Sequence, residues 1–184
     1  SYFVRGYVTG VASDKVPLAK YRNPAFAQAF AFLLGEAAAI DMVVGRRSSV
    51  TKELLFDKNY EIVKLNAEGI PCEIAVTDHA GSFVNYEHDF EDYVAQYAVA
   101  VTRRKPYVSE YVNFAAAYVE GFRRKLEAVR SAYLSRKNAF DELFIDRPYD
   151  TNGSGAYRWA KALRRLANCE PERVAAILKE AIGC

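Results

Sequence analysis

A chain of 184 residues, 51% hydrophobic and 14% aromatic, can bury a core without disulfide or metal staples, and this composition excludes an intrinsically disordered protein. The net charge of +2 excludes little by itself, but it is unevenly spread: residues 1–91 hold 9 Lys/Arg against 12 Asp/Glu, and residues 92–184 hold 16 against 11. That asymmetry points to a basic working surface in the second half.

Thermolabile side chains are scarce, with one Met, three Cys, and Gln28 and Gln96 as the only glutamines, a profile expected of a thermophilic source. The chain does not open with a basic patch followed by an apolar run, so secretion through a signal peptide is not expected.

In chain order, Tyr2 to Val11 is dense in β-branched and aromatic residues and predicts a strand, followed by a loop from Ala12 to Arg22. Asn23-Pro24 is a capping residue followed by proline at the first helical position, and it predicts a helix over 24–44 that stops at Gly45. Gln28, Glu36 and Asp41 are its only strongly polar residues, so it reads as a buried central helix or a subunit contact. A membrane span is disfavoured because Glu36 and Asp41 would be costly in lipid.

Residues 50–86 predict an antiparallel β-meander with runs Val50–Phe56, Tyr60–Leu65, Cys72–Thr77 and Ser82–Tyr86, separated by turn-forming stretches. His88-Asp89 opens a helix with Phe90, Tyr93, Val94, Tyr97 and Val101 on one side. From Pro106 to Asp146 an apolar stripe runs through Tyr111, Ala115, Tyr118, Phe122, Leu126, Val129, Tyr133, Phe140 and Phe144, within about 40° of one line on a helix. Arg123, Arg130 and Lys137 form a basic margin beside it, which Glu120 and Glu127 can neutralise. Arg147 to Gly155 is a linker. Ala156–Asn168 and a helix from Pro171 to just before Gly183 then form a helical hairpin. The expected fold is α+β and predominantly helical: long amphipathic helices with a small antiparallel β-meander. Residues 1–146 form the core with its long C-terminal helix, and 147–184 are a basic hairpin packed on it, the whole expected as one domain.

The strongest candidate site is the helix after the linker. Arg158, Lys161 and Arg165 share one face, Arg164 lies beside Lys161, and the segment contains no acid. An acid-free basic face is what phosphate binding requires. The opposing expectation is that acids such as Glu170 and Glu172 neutralise it. Two further basic clusters are candidates for phosphate contact: Arg103, Arg104 and Lys105 before the long helix, and Arg46 and Arg47 in a loop with serines.

The catalytic signals are weaker. Asp78, His79, Glu87, His88 and Asp89 form an acid–imidazole cluster near Cys72, but the spacing matches no standard zinc motif. Glu61 and Lys64, with Asp57 before them, follow an E-x-x-K spacing that puts the two on opposite faces of a strand. No phosphate-binding loop, dinucleotide fingerprint or nucleophile elbow is present, and no metal or cofactor is expected. Cys169 and Cys184, about 20 Å apart along the last helix, are too distant to pair without a fold-back, while Cys72 could pair with either.

Together these features lead to the expectation of a non-enzymatic protein that packages nucleic acid, binding duplex DNA without reading sequence. It would oligomerise through helices 24–44 and 106–146, and reside in a virion or the cytoplasm. The layout is similar to that of DNA-wrapping nucleocapsid proteins of hyperthermophilic archaeal filamentous viruses, a likeness of helices and basic faces that rests on no motif. Two alternatives stand beside it: a nuclease-like metal-dependent hydrolase using the acids and histidines of 57–91, and a protein-interaction subunit of a larger complex.

Overall fold

The computed structural model describes residues 10–45, 60–77, 89–95, 114–144 and 155–183. The fold is α+β and predominantly helical. A three-stranded antiparallel sheet in the order β1 (Val11–Ala12), β2 (Tyr60–Leu65), β3 (Pro71–Val76) lies beside helices α1 (Leu18–Tyr21), α2 (Pro24–Val43), α3 (Phe114–Ser135), α4 (Lys137–Phe144), α5 (Gly155–Asn168) and α6 (Pro171–Ile182). Residues 90–95 are also helical. The expected strand over 2–9, the strands over 50–56 and 82–86, the start of the long helix before Phe114 and most of the linker lie outside the described residues.

Local chemistry accounts for the element ends. The Asn23 side chain accepts from the amides of Ala25 and Phe26 at 3.0 and 3.4 Å, which caps α2 where its first N–H groups have no helical partner. Gly183 ends α6 in the left-handed conformation at φ 78°. Between β2 and β3, Asn66 Oδ1 accepts from the amides of Glu68 and Ile70, and Gly69 supplies the positive φ that closes the turn. The β2–β3 register pairs Tyr60 with Val76 and Ile62 with Ile74, then shifts between Ile62 and Leu65.

Two stretches differ from expectation. The loop predicted over 12–22 contains α1, because Tyr21 is fully buried there: its ring packs on Phe26 and Phe30, and its hydroxyl donates to the Ser13 carbonyl at 2.8 Å. The long helix predicted as one rod breaks at Arg136 with no proline or glycine present. Tyr133 is responsible. Its hydroxyl donates to Asp141 at 2.9 Å and its ring meets Phe140 at 5.9 Å. In a straight helix, residues seven apart would be separated by about 10 Å along the axis. At the break, the Ser135 hydroxyl donates to the Ala132 carbonyl and the Arg136 amide bonds to Tyr133 rather than one residue further back. The apolar stripe nonetheless faces inward: Tyr118, Phe122, Leu126 and Tyr133 are buried.

α2 is the centre of the core. It is long and apolar enough to cross a membrane by length and composition, but 61% of that window is buried within the chain. Phe30, Leu34 and Met42 are essentially inaccessible, each contributing about 1.5–3 kcal/mol. Its two acids are matched: Glu36 lies 3.6 Å from Lys125, and buried Asp41 accepts from the Tyr60 hydroxyl at 3.1 Å, which ties α2 to the sheet.

α2 and α3 meet at Gly35 and Gly121. A Cβ on Gly35 would stand 2.0 Å from the Tyr118 carbonyl oxygen, and one on Gly121 would stand 2.0 Å from that of Phe32. Both obstacles are helix backbone, so neither can rotate away. Gly121→Ala is expected to cost about 3 kcal/mol, the upper part of the range for overpacked cores, measured as a lowered urea midpoint at unchanged slope. Ala116→Gly, at an exposed position on the same helix, should cost only about 1 kcal/mol.

Candidate nucleic-acid interface

α5 is amphipathic. Ala160, Ala162, Leu163 and Leu166 are buried, and Trp159 continues a chain of ring contacts from Phe140 and Phe144. These contacts pack α5 on α4 and set the direction of its basic residues. Of the four cations, Arg164 is exposed, while Arg158, Lys161 and Arg165 are half-buried along the flank between the inner and outer faces. Lys161 places its ammonium 5.0 Å over the Tyr157 ring. Arg165 places its guanidinium 5.0 Å over the Phe90 ring. Burial lowers the Arg165 pKa, and the nearby Asp89 and Tyr93 oppose that shift. The face expected as one open stripe is therefore graded, with Arg164 outermost.

The basic margin of the long helix is already engaged. Arg123 makes a two-pronged pair with Glu120 and also reaches Glu127 and, at 2.8 Å, Glu172 of α6. These carboxylates, Glu120 first and then Glu172, raise the Arg123 pKa, and Arg123 in turn lowers that of Glu120. Arg130 donates to the Ala167 carbonyl at 3.2 Å, satisfying an end group of α5. Lys137 pairs with Asp141. Glu172, expected to neutralise α5, serves Arg123 instead.

Acids do approach α5, from a segment that the sequence alone does not connect with it. Asp89, Glu91 and Asp92 line a cleft of about 420 Å³ together with Arg164, Arg165, Arg173 and Glu170. Glu91 and Arg173 form a two-pronged pair at 3.0 and 3.1 Å. The sequence signal for this meeting is complementarity: an acidic stretch without Lys or Arg at 87–92 and a basic helix without Asp or Glu at 156–168 in the same chain.

The candidates Arg103, Arg104, Lys105, Arg46 and Arg47 lie outside the described residues, as do both histidines, most of the acid–imidazole cluster and Cys184. Among the described residues no group of three His, Cys, Asp or Glu side chains is placed to hold a metal ion. Glu61 and Lys64 are on β2, with Lys64 opposite Glu73 in register. Cys72 and Cys169 are free thiols; burial pushes Cys169 up to about 11. No protein-family model, curated protein or solved structure matches the chain.

Two measurements check this electrostatic picture. At pH 8 only about one part in a thousand of Cys169 is thiolate, so iodoacetamide should modify exposed Cys72 far faster than Cys169, read by peptide mass spectrometry. Asp141 is held below its usual 3.8, first by the hydrogen bond from Lys137 and then by Tyr133. A depressed carboxylate stabilises the fold above its unfolded pKa and loses that contribution as pH falls through the folded one. Asp141→Asn should therefore lower the melting temperature at pH 7, with the difference from wild type shrinking as the pH drops below 3.8.

Proposed function

We propose that the protein is a non-enzymatic nucleic-acid-binding packaging protein that coats duplex DNA without reading its sequence and assembles along the phosphate backbone. The observation that carries this reading is α5. It is an acid-free helix bearing four cations, with Arg164 exposed and Arg158 and Lys161 on its flank. It belongs to a helical half, residues 114–144 and 155–183, that holds twelve Lys/Arg against seven Asp/Glu. A convex, rigid helix with arginines along one side meets phosphates without needing to enter a groove, which suits sequence-indifferent coating.

Assembly in this reading uses what the core leaves over. α2 buries most of its apolar surface inside the chain, so contact between copies draws on the exposed large apolar side chains of the described residues, Val11, Ile40, Leu65, Leu134 and Leu143.

Replacing Arg158, Lys161 and Arg164 together with Ala should weaken duplex binding equally across unrelated sequences. It should also flatten the dependence of log affinity on log salt by about 0.9 for each phosphate that is no longer neutralised. Fluorescence anisotropy over a salt series measures both. An unchanged affinity in a folded triple variant would remove α5 as the contact surface.

A further inference from the structure

The acids at 89–92 share one cleft with arginines of α5 and α6. Phe90, Tyr93 and Val94 are buried, which anchors their short helical segment against the body of the protein. The residues between and before the anchors are Asp89, Glu91 and Asp92, with no base among them. Anchoring therefore presents three carboxylates at a fixed place, and that place is the cleft lined by Arg164, Arg165 and Arg173.

Each arginine meets this segment or shares its cleft. Arg165 lies over the ring of Phe90, between two of the acids in sequence. Arg173 is gripped at two nitrogens by Glu91, in the geometry that a phosphate would also use. Arg164, exposed, is a neighbour in the same cleft. An arriving phosphate must displace or face these carboxylates, whereas further up α5, at Arg158 and Lys161, it does not meet this cleft.

We infer that Asp89, Glu91 and Asp92 are a built-in competitor for polyanions, an intramolecular contact that occupies Arg165 and Arg173 and lowers affinity at this end of the basic surface. The inference rests on the proposed nucleic-acid reading. Its physical content is substitution of one anion by another on the same arginines, so it predicts a gain of binding when the acids are neutralised in place.

The test uses the full chain as Asp89→Asn/Glu91→Gln/Asp92→Asn, changes that keep side-chain size and leave a capping side chain at position 89. The control is Glu68→Gln/Glu73→Gln/Glu180→Gln, which removes the same charge from exposed positions outside the cleft. Circular dichroism and melting temperature establish that both are folded. The probes are a labelled duplex of arbitrary sequence and, separately, heparin.

The cleft variant should bind roughly ten-fold tighter than wild type, with a steeper salt dependence, and the control should stay within about two-fold. An equal gain in both variants means that net charge alone acts and overturns the inference, as does an unchanged or weakened cleft variant. If the cleft variant is unchanged while replacing Arg158, Lys161 and Arg164 still abolishes binding, the competition fails and the proposed function stands. If wild type is silent and only the cleft variant binds, the competition stands and the proposed activity of the native chain fails. If neither binds either probe, both fail.

Discussion

Two helices pack at backbone distance only where neither carries a side chain at the crossing. α2 and α3 meet in that way: Gly35 and Gly121 each face a carbonyl of the other helix, with no room for a methyl group. Much of the described structure depends on this contact. It holds α3 against the central helix closely enough for Tyr118 and Phe122 to be buried, and it brings Lys125 to Glu36. α3 then serves as the surface on which α5 and α6 are placed, through Arg130 to the end of α5 and Arg123 to Glu172 of α6.

The same placement decides which cations are engaged between helices. On α3 and α4, the three basic residues of the apparent margin hold helices together or pair with local carboxylates. Exposed pairs of this kind contribute little stability each, typically below about 1 kcal/mol, but they remove charge from the surface that a polyanion would meet. α5 is different because its own sequence supplies no acid. Its charge is moderated only from other segments, and the acids at 89–92 reach one end of it.

The break at Arg136 is what makes that geometry possible. A straight continuation of α3 would carry Phe140 and Phe144 away from Tyr133 along the original axis. Across the break, the ring contacts Tyr133–Phe140, Phe140–Phe144 and Phe144–Trp159 run from the end of α3 through α4 into α5. Trp159 is thus both an anchor of α5 and the reason its cations project from a fixed flank. The Tyr133 hydroxyl at the start of this chain is pushed up to about 12, first by burial and then by Asp141, so it stays a donor across the ordinary pH range.

The sequence by itself determined whatever depends on near neighbours. Asn23-Pro24 and Gly183 mark helix ends because capping and left-handed backbone are local matters. Tyr60–Leu65 reads as a strand from its strand-forming residues and turn-forming flanks, and the inward stripe from Tyr118 to Tyr133 follows from helical periodicity. The absence of acids on α5 was equally legible. Tertiary structure alone decided the rest, because it depends on residues far apart in the chain. The break at Arg136 comes from a tyrosine reaching a carboxylate beyond the next turn, where no proline announces it. The loop at 18–21 becomes helical because Tyr21 finds a pocket built by Phe26 and Phe30. Glu172 went to Arg123, and Glu91 to Arg173 more than eighty residues away. An amino-acid sequence shows how many charges of each sign a helix carries, but which of them meet is a property of packing. Here packing committed Arg123 and Arg130 to neighbouring helices, set Arg165 over Phe90, and left Arg164 as the outermost cation of α5.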